Sequence, residues 1–315
     1  MTSPTHGEAR GQGEPAGPRA PRRGAIRWHV QTAGSGPVLL LVHGTGSSSD
    51  SFRALMPLLA ERFTVVAPDL PGHAGSEAPS WFRPTLPESA AALGELLAAR
   101  GLEPAVAVGH SAGAALLVRL AIDRAIAPRL LVALAPALVP LPPLAYAVLP
   151  AAARLLAFAS ARVAPRAWSA GGVDRLIRST GSALGEPGVE HYRRLLESPG
   201  HVTATLSMMA HWDLAPLFDD LPALATPLLL LAGGRDRAVP LADQRLVVGR
   251  VPRARLEVVA GAGHLLHEER PAAVARLILD EADALASERV PHGRFDTGSA
   301  GDPARLWGRG GVGPA

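Results

Sequence analysis

Gly109-His110-Ser111-Ala112-Gly113 sets a serine among small residues, between an apolar run and an Ala/Leu-rich stretch. A G-x-S-x-G segment in that context suits a tight strand-to-helix turn. Such a turn lifts Ser111 Oγ above a sheet and aims the following N–H groups at a developing oxyanion. A serine hydroxyl is a weak nucleophile and needs a base beside it, and the imidazole base needs a carboxylate to hold its tautomer. Both partner types follow, in Gly233-Gly234-Arg235-Asp236 and Gly261-Ala262-Gly263-His264, each after a short apolar run. Ser111, Asp236 and His264 are therefore the candidate catalytic residues. His43-Gly44-Thr45-Gly46 is the candidate second half of an oxyanion hole. Its glycines would bring the Thr45 N–H to the substrate oxygen, with the Ala112 N–H as the second donor.

The remaining candidates each carry a plainer structural reading. His43 and His110 read first as structural hydrogen-bonding residues, and both are kept as candidate pocket residues. His267, three residues after His264, is a rival base that lacks a Gly-x-Gly turn before it. Asp213 is expected to cap a helix, and Asp69 in Pro68-Asp69-Leu70-Pro71-Gly72-His73 to fix a loop. Met208, Met209 and Trp212 stand at helical spacing; core packing is the default for them and pocket lining the alternative. The chain has no cysteine and no lysine, which excludes disulfides, a cysteine nucleophile, a Schiff-base lysine and a P-loop. Metal-ligand spacing and GKS/GKT are missing, so neither a metal nor a nucleotide cofactor is implied.

The elements that position these residues are readable from periodicity. Apolar runs at 38–42, 64–67, 105–108, 130–135, 228–232 and 256–260 each end at or within a residue of Gly, Pro or His. Such largely apolar runs predict buried parallel strands. Helical patterns fill 52–62, 87–100, 112–124, 241–249 and 271–286. This β-α alternation implies a parallel sheet covered by helices on both faces. The candidate residues then fall at strand C-terminal ends, where open α/β sheets bind ligands.

The alternation breaks over 137–222, which predicts a helical cap between core segments 25–136 and 223–287. The 24 residues 130–153 are uncharged, but prolines at 136, 140, 142, 143 and 150 argue against one spanning helix. An apolar pocket or core is the first reading of this run, and contact with a membrane surface the second. Residues 1–24 and 288–315 are rich in Gly, Pro and Arg, and are expected to be disordered tails. The first lacks the apolar centre of a secretion signal, so a cytoplasmic location is expected. Those tails carry the whole net charge of +3, because 25–287 holds 23 arginines against 23 acids. A basic excess confined to tails does not support a nucleic-acid-binding face.

The HGTG, PDLPGH, GHSAG, GGRD and GAGHLLHEERP segments resemble the α/β-hydrolase superfamily across nearly all of 25–287. GAIRWHVQ at 24–31, HSAGAALLVRLAIDRAIAP at 110–128 and GHVTATLSMMAHWDL at 200–214 resemble the BchO group. These are magnesium-chelatase accessory hydrolases of bacteriochlorophyll biosynthesis in phototrophic bacteria. The resemblance implies the α/β-hydrolase fold with a cap and a serine hydrolase acting on a small lipophilic ester-like or tetrapyrrole-pathway substrate. It also implies a Mg-porphyrin ligand and magnesium-chelatase subunits as candidate partners, with at most peripheral contact with the photosynthetic membrane. The alternative is a non-catalytic tetrapyrrole-binding or chaperone module on the same fold. Dehalogenase and epoxide-hydrolase chemistry is disfavoured because those enzymes carry aspartate at the elbow; haloperoxidase and C–C hydrolase chemistry stay open. One departure from the superfamily pattern is Ala74, where a glycine is usual, which predicts local backbone strain.

Overall fold

The computed structural model describes residues 25–140 and 170–287. The two expected tails, and the 141–169 part of the expected cap with most of its proline-rich apolar run, lie outside the described residues.

Seven strands form one sheet in the order β1-β3-β2-β4-β5-β6-β7. They are β1 Val30–Ala33, β2 Val38–Val42, β3 Thr64–Pro68, β4 Val106–His110, β5 Leu130–Leu134, β6 Leu228–Gly233 and β7 Ala254–Val259. β1 pairs antiparallel with β3, and every other pairing is parallel. The six strands expected from apolar runs are all present, but the edge strand β7 is not buried as expected: Arg255 and Val258 are exposed. β1 was not expected, because Val-Gln-Thr-Ala has no apolar run; it is an edge strand and only partly buried.

Among the described residues the helices are α1 Met56–Ala60, α2 Leu86–Ala99, α3 Ala112–Ile122, α4 Ala170–Ser179 and α5 Glu186–Glu197. They continue as α6 Pro199–His211, α7 Ala215–Asp220, α8 Leu241–Arg250, α9 Leu266–Glu269 and α10 Pro271–Ser287. The single helix expected over 52–62 is instead a 3-10 turn, Ser49–Phe52, followed by the short α1. Pro57 explains the break: it starts α1, and inside a longer helix its ring would strike the carbonyl one turn back.

The sheet separates two cores by the alternation of its side chains. Leu40 and Val42 of β2 join Ala107, Leu131 and Leu230 under α2, α3, α7 and α8. Leu39 and Leu41 join Val108, Val132 and Leu229 under α1 and α10. Both faces are covered, so the central strands need no polar side. Helices α4 to α7 lie between β5 and β6 in the chain. Val173, Ile177 and Val189 from this stretch form a small third cluster with Leu265. No helix among the described residues is long and apolar enough to cross a membrane.

Candidate active site

Ser111 joins β4 to α3 with φ 51° and ψ −115°, a conformation costly for a non-glycine residue. The backbone around it enforces that geometry. Ser111 N–H donates to the Leu134 carbonyl at 2.9 Å, and the Ser111 carbonyl accepts from Ala114 and Ala137. Gly113 makes the turn possible: a Cβ there would strike the Val42 and His43 carbonyl oxygens. Ser111 is partly exposed while every residue of β4 is buried.

Asp236 follows β6, and His264 lies in the loop after β7. Asp236 Oδ2 stands 3.0 Å from His264 Nδ1. Its Oδ1 accepts from the Ala238 and Val239 N–H groups at 2.8 and 2.9 Å. The Asp236 side chain is 1% exposed and that of His264 12%. The carboxylate acceptor sets the proton on His264 Nδ1 and leaves Nε2 with its lone pair, as a base requires.

The loop bearing His264 is fastened by residues that sequence reasoning missed. Glu269 accepts from Gly263 N–H at 2.8 Å and Ala183 N–H at 3.2 Å, and pairs with Arg235. Ser182 Oγ accepts from Leu265 N–H at 2.9 Å. A Cβ on Gly263 would strike the backbone of Gly181 and Ser182, so the segment before α5 closes directly on this loop. One signal for Glu269 was available: a carboxylate six residues after a glycine turn whose N–H groups need acceptors.

Ala112 is the first residue of α3, where N–H groups have no acceptor within the helix and the helix dipole favours negative charge. Thr45 follows β2 and donates its hydroxyl to Met208 Sδ at 3.5 Å. Met208 is buried, whereas Met209, its expected pocket companion, is 49% exposed. Trp212 is partly buried and packs on the α2–α3 core.

His43 and His110, kept above as pocket candidates, are buried and turned to backbone partners. His43 Nδ1 donates to the Gly44 carbonyl and Nε2 accepts from Leu70 N–H, both at 2.8 Å. Its burial holds the imidazole pKa below the ordinary value. His110 Nε2 donates to the His264 carbonyl at 3.1 Å, which ties the serine turn to the base loop. His267 is fully buried, 4.5 Å from His110 between ring centres, and burial pushes its pKa down to about 3. Among the described residues no carboxylate orients it as Asp236 orients His264.

Asp69 fixes its loop through bonds from Ser49 and Gly75 N–H and from His29. Burial works against its charge, but nearby His43 and the two N–H donors hold its pKa below the ordinary value. Asp213 accepts from Ala215 N–H at the start of α7. Ala74 has φ 44°, the strain expected where glycine is usual, and its N–H donates to His201 Nδ1.

The sequence matches the family model described as the Alpha/beta hydrolase family over residues 39–277. It is 39% identical over 264 residues to the Magnesium-chelatase 30 kDa subunit of Rhodobacter capsulatus, covering 82% of this chain and 92% of that protein. An uncharacterized protein of Mycobacterium tuberculosis is 29% identical over 259 residues, covering 76% of this chain and 73% of its own. Among solved structures, a thermophilic esterase from Thermogutta terrifontis superposes with a TM-score of 0.68 at 25% identity. That alignment covers 82% of this chain and 94% of the esterase.

Proposed function

This chain belongs to the alpha/beta hydrolase family, and from that premise we propose that it is a serine hydrolase with the triad Ser111, His264 and Asp236. The observation that carries the reading is the buried Asp236–His264 hydrogen bond, which leaves Nε2 free as the base, combined with the strained serine turn on β4. Ser111 Oγ attacks the substrate carbonyl while His264 Nε2 takes its proton. Asp236 holds the tautomer and stabilises the imidazolium that forms. The N–H groups of Thr45 and Ala112 hold the oxyanion. His264 then gives the proton to the leaving group, and water releases the acyl group from Ser111 by the same steps in reverse.

The substrate we propose is lipophilic and ester-like, within tetrapyrrole metabolism and accessory to magnesium insertion for bacteriochlorophyll. The name of the Rhodobacter capsulatus relative supports this placement, and magnesium-chelatase subunits become candidate partners. Within the expected cap, Met208 beside Thr45 offers an apolar contact for the acyl part.

A fluorophosphonate probe and p-nitrophenyl esters test the reading together. Wild type is expected to label and to hydrolyse the esters. Ser111→Ala is expected to lose labelling and about 10³-fold or more in turnover. Unchanged hydrolysis by that variant refutes the assignment. Tight Mg-porphyrin binding without labelling replaces it with a tetrapyrrole-binding module.

A further inference from the structure

Outside the triad, one chain of polar side chains joins three separate parts of the molecule. Glu268 lies in α9, four residues after His264, with its side chain 1% exposed. Its Oε1 accepts from the Tyr192 hydroxyl of α5 at 2.7 Å. Its Oε2 accepts from Arg53 Nη1 at 3.0 Å, and Arg53 also donates to the Asp50 carbonyl. Tyr192 gives its proton to Glu268, so the Ser47 hydroxyl 3.3 Å away is the donor to Tyr192. Ser47 N–H donates to the Gly44 carbonyl at 3.2 Å and closes the turn that contains Thr45.

The network thus runs from the oxyanion loop, through α5, to the helix after the base. Its ends lie two residues from Thr45 and four from His264. The central strands are buried without it, so its hold is on loops rather than on the sheet. We propose that Tyr192 and Glu268 are positioning residues: the Ser47–Tyr192–Glu268–Arg53 chain holds the oxyanion loop in its working position relative to the base loop. This inference rests on the hydrolase reading and adds residues to the same site.

The charge state of the network supports it. Burial pushes the Glu268 carboxyl up to about 7, against the pull of the Tyr192 and Arg53 donors. The other titratable groups around it are Asp50 from the 3-10 turn, Arg53 just after it, Tyr192, His191 and Arg194 from α5, and His267 and Glu269 on either side of it in α9. His191 and His267 are pushed down by burial to about 4 and about 3, and Tyr192 is pushed up by burial and by Glu268. Near neutrality Glu268 is the member of this group that changes charge. Its protonation removes one acceptor and leaves Arg53 without its counter-charge.

Tyr192→Phe tests the idea, because it deletes one hydroxyl and keeps the ring against the Val173–Ile177–Val189–Leu265 cluster. The expected result is a ten- to hundred-fold fall in kcat on a short p-nitrophenyl ester, of the order a small misplacement costs. KM should stay within about twofold, and fluorophosphonate labelling of Ser111 should persist more slowly. Glu268→Gln is the second variant. It removes the titrating carboxyl, so log kcat should rise less steeply with pH around 7 than in wild type. A fall in Tm with kcat, KM and the pH slope unchanged overturns the proposal, since it makes the network merely structural. Wild type that does not label overturns the hydrolase reading and this inference with it. Labelled wild type with an unaltered Tyr192→Phe overturns this inference alone. If Tyr192→Phe does not fold, the Glu268→Gln slope decides.

Discussion

Ser111 follows a fully buried strand and opens a largely buried helix, while Asp236 and His264 stand on loops with several exposed neighbours. Every residue of β4 and β5 is buried, and the serine turn is enforced by backbone carbonyls and by contacts that exclude a Cβ. On the other side Gly234, Arg235, Arg237, Ala238 and Gly261 are exposed. There side chains add to the close backbone contacts of Gly233 and Gly263: Asp236 accepts from two N–H groups, Glu269 from two more, Ser182 from another, and Glu268 from Tyr192 and Arg53. The difference separates two kinds of failure. Damage to the nucleophile side costs folding, because its geometry and the core packing are the same contacts. Damage to the base side costs turnover, because the loops can shift while the sheet stands.

The largest effect is expected on the base side. Asp236→Asn keeps the size of the side chain and its acceptor for Ala238 and Val239. Its amide nitrogen, however, imposes the wrong tautomer on His264. The kcat for ester hydrolysis is expected to fall about 10⁴-fold while Tm stays within a few degrees. A comparable loss of both activity and Tm would show that this loop is part of the core, and the contrast between the sides would fail.

Gly113→Ala is the matching change on the nucleophile side. Its Cβ would meet backbone oxygens of central strand β2, which cannot give way as a flexible side chain can. Destabilisation of about 3 kcal/mol is expected in urea unfolding. Gly249 in α8 has open space around it, so Gly249→Ala serves as the control and is expected to be stabilising by about 0.5–1 kcal/mol. Equal effects at the two positions would refute the claim that the serine turn is held by packing.

The same contrast decides what could be read from the sequence. Apolar runs and the Ser111, Asp236 and His264 segments are local, and their physics is contained within about six residues each. The antiparallel β1 left no such mark, and Pro57 divided a pattern that looked continuous over 52–62. The directions of the His43 and His110 rings were also unreadable, because they depend on Leu70 N–H and the His264 carbonyl. Tyr192 and Arg53 lie 76 and 215 residues from the Glu268 they bind, a pairing that no spacing announces. Side-chain networks that fasten loops come from tertiary structure, whereas the turns they fasten are written locally.

The smallest effect concerns protons, and it sharpens the contrast at Glu268. The folded-state pKa of Glu268 is raised to about 7 from an ordinary 4.5. Its contribution to stability is therefore full below about 4.5 and is lost as pH rises through about 7. The histidines have the opposite sign: His201 and His267 are lowered from 6.5 to about 4 and about 3 by burial. Their contribution is full above 6.5 and is lost as pH falls toward those values. Wild-type stability should then rise with pH between about 4.5 and 6.5, where the histidines outweigh Glu268. It should turn over near 7, where Glu268 is still losing its proton. Glu268→Gln isolates the carboxyl, because the histidine contributions cancel between the two proteins. The stability of the variant relative to wild type should climb by up to about 1.4 kcal/mol per pH unit between 4.5 and 7, and stay level above that window. Urea unfolding of both proteins at pH 5, 6, 7 and 8 measures it. A difference that is constant with pH would show that Glu268 enters the fold already ionised, and the base side would lose its proton-sensitive tie.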